Sequence, residues 1–297
     1  HVQWLETQEG HGGAGRVVLA EHRLQMGSHL RCHVAPTHTV HPTPRRPYRL
    51  RRDRRAGTVL RVVTVLTVSD EVVEGLWNAR TLPFDVDLVL GAGDLPFEYL
   101  EHLAEAADAP CVFVPGNHDA DLTGYSAGRA GWMRAGLPSS WPGPDGAVNA
   151  DRRIVSAAGL RIAGLGGSIR YRDGPNQWTE RQQKRRSGSL IRTHTWHPLL
   201  RRGADAHGVD VLLTHSPPFG LGDAEDAPHR GFRCLDPLTE RLRPQLLVHG
   251  HIHPHGTRPA DRQLHGATVI NTVGYALIDI TPGGDTAPII ERRRHGS

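Results

Sequence analysis

The chain has 297 residues, 38% of them hydrophobic, with 34 Gly and 22 Pro, enough for one large domain or two small ones with a substantial core and many loops. No apolar run approaches the ~20 residues of a membrane span, and the first residues lack the compact apolar segment of a secretory signal. Three scattered cysteines, Cys32, Cys111 and Cys234, form neither a disulfide framework nor a CxxC metal site, so the expected compartment is the reducing cytoplasm.

The isoelectric point near 9.3 invites a nucleic-acid partner, but the charge is not spread evenly. Residues 1–57 carry ten Arg against four acidic residues, a net of +6 in a chain of +4, which leaves residues 58–297 at −2. The same leader has no sustained period of 2 or 3.6. Its Pro/His-rich segment and its Arg run cannot bury enough apolar surface to offset ordering entropy. The expected state is a disordered leader, or translated sequence ahead of the true start, since the chain opens on His rather than Met. A basic arm for nucleic acid or an acidic partner is the sharper alternative. Residues 58–297 read as one domain.

Within that domain Leu60–Val68 is β-branched and apolar throughout, like a strand buried on both faces. It ends in Ser69-Asp70-Glu71, and a helix is expected over Glu71–Asn78 with acid in its first turn. A second strand, Asp87–Leu90, runs into Gly93-Asp94, and Pro96–Ala107 reads as a helix with Pro at its start. A third strand, Pro110–Val114, runs into Gly116-Asn117-His118-Asp119. This spacing implies parallel βαβ units. Tyr125–Ala135 reads as a helix and Pro138–Gly146 as a loop. Arg153–Ser156 and Leu160–Leu165 read as antiparallel strands about Gly159, and Thr179–Leu200 as a polar helix with His194 and His197 on its surface. Two more buried strands, Val209–Leu213 and Gln245–Val248, end in Thr214-His215 and in Gly250-His251-Ile252-His253. Val269–Asn271, Tyr275–Ile280 and Pro288–Glu291 are expected to close the fold.

Five apolar strands thus end in polar residues: Asp70, Asp94, Asn117-His118, His215, and His251 with His253. Singly each has a plain reading, since an Asp after a strand is often a helix cap and a chain with 20 His produces His pairs by chance. Together they differ, because parallel strands place their C-terminal ends on one sheet edge. Carboxylates, an amide and imidazoles gathered there form an O/N ligand set for first-row transition metals.

The ordered motifs Gly93-Asp94, Gly116-Asn117-His118-Asp119, Thr214-His215 and Gly250-His251-Ile252-His253 resemble those of the calcineurin-like metallophosphoesterases, over about residues 60–285. The resemblance implies an α/β fold, a four-layer αββα sandwich with a metal site at the C-terminal ends of the central strands. It implies a hydrolase of phosphate mono- or diesters that uses two divalent transition metal ions (Mn, Fe or Zn). Asp94 would bridge them. Asn117, His215 and His251 would complete one site, and Asp70 and His253 the other, while His118 would face the substrate as the catalytic residue. Two cations ~3.5–4 Å apart stabilise the attacking and leaving oxygens of a phosphoryl group together.

One position departs from the family pattern, which has a histidine where this chain has Val72. Glu71 is adjacent, but a shift of one residue turns a side chain away at a strand end, so it is not expected to take that place. The first site is then left with Asp70, Asp94 and His253 and binds its ion weakly, and a histidine at 72 is expected to tighten it. The alternative is a catalytically weakened binding or scaffold protein on the same fold.

Substrate selection is expected from loops over the metal edge. In Gly166–Gln177, Arg170 or Arg172 could hold a phosphate oxygen, Tyr171 or Trp178 could stack on a base, and Asn176 sits beside them. In Gly220–Phe232, Asp223, Asp226 and His229 form a polar loop. The expected partner is a phosphoester or nucleotide-like small substrate, with no membrane and no long nucleic acid, because residues 58–297 lack a basic stripe. Oligomeric state is not legible.

Overall fold

The computed structural model describes residues 49–52, 59–128, 131–196, 208–254, 260–284 and 288–294. All of them fall in one compact unit, Pro47–Ser297.

Two six-strand paths make the two sheets. The first holds β1 (Arg49–Arg52), β2 (Val59–Ser69), β3 (Leu88–Gly91), β4 (Cys111–Phe113), β8 (Val148–Asn149), β17 (Gly274–Ile280) and β18 (Ile289–Arg294). Its order is β18-β17-β2-β3-β4-β8, with β1 pairing the first half of β2. β2, β3, β4 and β8 run parallel. The second sheet holds β9 (Ile154–Ala157), β10 (Leu160–Leu165), β13 (Val211–Thr214), β14 (Leu246–His249), β15 (Arg262–Leu264) and β16 (Ala267–Asn271). Its order is β15-β16-β14-β13-β10-β9, parallel from β16 to β10.

The sheets pack face to face. Val63, Val65, Leu88, Leu90 and Val112 of the first meet Ile162, Val211, Leu213, Leu246 and Val248 of the second in one buried cluster. Helices cover the outer faces. α1 (Glu74–Trp77) and α2 (Phe97–Ala107) lie on the first sheet through Leu76, Tyr99, Leu100 and Leu103. α3 (Glu180–Trp196) and α4 (Leu235–Leu242) lie on the second through Leu190, Leu235, Leu238 and Leu242. This is the four-layer αββα sandwich, and fully buried parallel strands explain the unbroken apolar runs.

The expected helix over Tyr125–Ala135 is instead a three-stranded antiparallel unit, β5 (Tyr125–Gly128), β6 (Gly131–Arg134) and β7 (Leu137–Pro138). The segment has no apolar stripe at helical spacing, and Gly131 and Gly136 adopt positive φ. Trp132 of β6 stacks on Trp141 at 4.1 Å between ring centroids. α1 is shorter than expected and starts at Glu74, so Glu74 and not Glu71 is its first-turn acid. α4 lies where the sequence reading places no helix, although Leu235, Leu238, Thr239 and Leu242 are buried at helical spacing. His194 is not a surface residue: it is 9% exposed and faces inward from α3. His197 lies outside the described residues. β1 falls inside the stretch read as a leader; the rest of residues 1–57 lies outside the described residues. A short parallel pair, β11 (Ser168–Ile169) and β12 (Gln177–Trp178), holds the base of the loop between them.

Candidate metal centre

Three strands of the parallel core, β2, β3 and β14, deliver a polar residue through a turn in which that residue takes a positive φ. β2 ends at Ser69, and Asp70 then takes φ 59° while the Glu71 N–H donates to the Ser69 carbonyl at 2.6 Å. After β14, His251 takes φ 68° and the Ile252 N–H donates to the Gly250 carbonyl at 2.8 Å. Both are three-residue turns with a strained central residue. After β3, Asp94 takes φ 56°. Non-glycine residues in the left-handed region cost about 1–3 kcal/mol each, and these three persist because the surrounding structure fixes the backbone.

Glycines let these turns approach. A Cβ on Gly116 would fall onto Asp94 Oδ1, one on Gly93 would fall onto the Gly116 amide, and one on Gly250 would fall onto Asp70 Oδ2 and Ser69 Oγ. The glycine of each motif is therefore required by contact with another motif. Asp119 fixes the same region: its Oδ2 accepts the N–H of Gly116 at 2.7 Å and of Asp94 at 3.0 Å. Sequence reasoning assigns Asp119 no role, although it closes the Gly-Asn-His-Asp motif. Burial pushes its carboxyl up to about 6, against the two N–H donors.

The side chains of Asp94, His215 and His251 converge, and their candidate ligand atoms all lie within 4.8 Å of one another. His215 is wholly buried, with Nδ1 2.8 Å from the Ala92 carbonyl. Its Nε2 lies 3.0 Å from Asn117 Oδ1 and 3.3 Å from Asp94 Oδ2. His251 Nε2 contacts the Pro228 carbonyl at 2.8 Å, which leaves Nδ1 for a cation. Asp94 Oδ1 accepts the His118 N–H at 2.8 Å, and the His118 side chain is exposed at the rim. Asp70 Oδ2 accepts the His251 N–H at 2.9 Å, and Asp70 Oδ1 lies 3.9 Å from His253 Nε2.

The electrostatics are those of a ligand set for a cation. Burial alone would raise the Asp94 carboxyl, but the adjacent His215 and the His118 N–H hold it down to about 2. Burial alone would lower His215, but Asp94 and Asp70 lift it to about 9. Burial and the nearby His215 push His251 down to about 3. Burial raises Asp70. Asn117 turns its Oδ1 into the group beside His215, and its buried Nδ2 has no partner among the described residues. Buried carboxylates, imidazoles and an amide oxygen fit a divalent transition metal.

The calcineurin-like phosphoesterase family matches residues 67–255, well over half of the chain, including every one of these residues. The chain belongs to that family. A stretch of 49 residues is 49% identical to the UPF0046 protein T07D4.2 of Caenorhabditis elegans, covering 16% of this chain and 12% of that relative, so most of the relative's length lies outside the match. The crystal structure of TT1561 of Thermus thermophilus is similar over 78% of this chain and 100% of its own, at 15% identity and TM-score 0.47. That of a single mutant of Vps29 from Entamoeba histolytica is similar over 77% of this chain and 97% of its own, at 14% identity and TM-score 0.34.

The family position normally held by histidine is Val72, and here the chain departs in space as well as in sequence. Val72 packs against the cluster under α1 and α2, away from the metal edge. Glu71 instead reaches His253, with Oε1 3.3 Å from Nδ1.

Of the residues expected to meet substrate, His229 comes to the edge, its ring 5.4 Å from that of His251 and its Nδ1 2.7 Å from Asp226. Asn176 is buried and donates from Nδ2 to the carbonyls of Asp119 at 3.1 Å and Ala120 at 3.4 Å, so it holds the loop that carries His118. The Tyr171 and Arg172 N–H groups lean on Gln177 Oε1, and the Arg170 guanidinium on the Gln177 carbonyl. Asp223 pins its own loop through the N–H groups of Gly220 and Gly231. No described helix is long and apolar enough to cross a membrane.

Proposed function

We propose that this chain is a metal-dependent hydrolase of phosphate mono- or diesters that works with two divalent transition metal ions, Mn, Fe or Zn. The observation that carries this reading is the convergence of Asp94, His215 and His251 on one sheet edge, with Asn117 and Asp70 hydrogen-bonded into the same group. Asn117, His215 and His251 would hold one ion, Asp70 and His253 the other, and Asp94 both. When bound, the two ions supply positive charge to the phosphoryl oxygens and bring a water's pKa near neutrality.

The chain's own residues do the rest. Asp94 keeps its charge at any working pH because its carboxyl is held down to about 2. Asp119 and the motif glycines fix Asp94 and Asn117 before any ligand arrives, which removes reorganisation from the reaction. His118 is held by its own N–H on Asp94 while its ring stands in solvent at the rim. From there it stabilises phosphoryl charge or protonates the leaving oxygen. A small phosphoester or nucleotide-like substrate suits a rim flanked by His229 on a domain, residues 58–297, of net charge −2.

The test is turnover of bis(p-nitrophenyl) phosphate and p-nitrophenyl phosphate by the full chain, before and after chelation and with Mn²⁺ added back. Hydrolysis lost on chelation and restored by Mn²⁺ supports the reading. No turnover of either ester at saturating Mn²⁺ overturns it.

A further inference from the structure

Glu71 is left over by the family pattern, and its surroundings are specific. The turn at Asp70 resets the alternation of β2, so that Val72 enters the helical layer and Glu71 faces the metal edge. There Glu71 Oε1 stands 3.3 Å from His253 Nδ1. The opposite ring nitrogen, Nε2, stands 3.9 Å from Asp70 Oδ1. The Asp70 side chain is 3% exposed, and its other oxygen is taken by the His251 N–H.

We propose that Glu71 is a positioning residue for the Asp70–His253 metal site, holding His253 with Nδ1–H toward the carboxylate and the Nε2 lone pair toward Asp70. This rests on the two-metal reading above. A neutral imidazole has one N–H and one lone pair. A carboxylate beside Nδ1 selects the Nδ1–H form, and a histidine that ligates metal through one nitrogen commonly donates from the other to such a carboxylate. The lone pair on Nε2 then faces a carboxylate oxygen, an arrangement that repels unless a cation lies between. At 3.9 Å the two atoms are too far apart for a hydrogen bond, so no direct bond between them competes with a cation. The chain thus lacks the usual histidine at position 72 and supports the remaining one from position 71.

The test is Mn²⁺ titration of the full chain by calorimetry, for wild type, Glu71→Ala and Glu71→Gln, with thermal unfolding of each as a check on folding. Two sites are expected in wild type. Glu71→Ala is expected to weaken one of them by about 10–100-fold and to leave the other unchanged. Glu71→Gln keeps a hydrogen-bond acceptor for Nδ1–H and is expected to recover most of that affinity. Unchanged binding in Glu71→Ala overturns the proposal. Glu71→Gln as weak as Glu71→Ala also overturns it, because that result belongs to a direct ligand. Absence of Mn²⁺ binding to wild type overturns the two-metal reading itself, a separate failure.

Discussion

The Asp70 carboxylate accepts the backbone N–H of His251 across 2.9 Å, joining two turns 181 residues apart in the chain. Each turn closes on a residue with positive φ, and each ends a buried parallel strand of a different sheet. Gly250 gives no side chain to this contact, and a Cβ there would strike Asp70 Oδ2. The candidate metal edge is therefore built by backbone-to-carboxylate bonds between motifs, and its candidate ligands are fixed by one another as well as by the strands below them.

Asp94→Asn tests the central ligand. Asp94 touches His215 through one oxygen and the His118 N–H through the other. The variant is expected to lose both ions and at least about 100-fold in activity, since even residues that only orient ligands cost 10–100-fold. Elemental analysis beside an ester assay reads it. Two retained ions with undiminished turnover would contradict the assignment.

Gly116→Ala tests the close approach. The new methyl falls onto Asp94 Oδ1 and the Asp94 backbone. Overpacking of this kind costs about 1–3 kcal/mol, and here it also displaces a ligand. Both a lower denaturation midpoint and weaker Mn²⁺ binding are expected. A variant as stable and as metal-loaded as wild type would show that the two motifs can part without loss.

Val72→His separates sequence pattern from structure. By the family resemblance it restores a ligand, but Val72 packs against the cluster beneath α1 and α2. The variant is expected to lose about 1–3 kcal/mol by placing an imidazole in an apolar layer and to gain no metal affinity. A tightened site would mean that the turn at Asp70 can rotate position 72 to the metal edge.

In the proposed centre, protons compete with the metal at His215. Its folded pKa, lifted to about 9 by Asp94 and Asp70 against burial, lies above the ordinary 6.5. In chelated protein, its stabilisation is whole below pH 6.5 and is lost as pH rises through 9. Asp94, held down to about 2, contributes above its ordinary 3.8 and is lost as pH falls toward 2. From pH 6 to 9, chelated wild type is expected to lose up to about 3 kcal/mol relative to His215→Gln. Urea unfolding at the two pH values measures the difference, and parallel behaviour of the two proteins would contradict it. Apparent Mn²⁺ affinity is expected to rise over the same window, because the proton must leave.

The parallel strands and their shared edge were legible because buried parallel strands write themselves as apolar runs, and five of those runs stop at a ligand type; the four-layer sandwich was implied by the family resemblance. Asp94, His215 and His251 followed from that pattern alone. The Glu71 side was not legible. Counting alternation from β2 fails once Asp70 adopts φ 59°, and no sequence period announces that turn. Tyr125–Ala135 misled because aromatic and small residues suit a hairpin as readily as a helix, and the cross-strand pairing of Tyr125 with Arg134 is visible only in space. His194 looked exposed because its helix is polar, yet its own face turns inward. The Asp119 and Asn176 contacts that hold the His118 loop join segments whose adjacency depends on the finished fold.

The most direct measurement is a crystal of the full chain grown with Mn²⁺, with anomalous scattering recorded near the manganese edge. Two peaks about 3.5–4 Å apart, one on each side of the Asp94 carboxylate, are the predicted result. A single peak on Asp94, His215 and His251, or none at this edge, would contradict a two-metal centre.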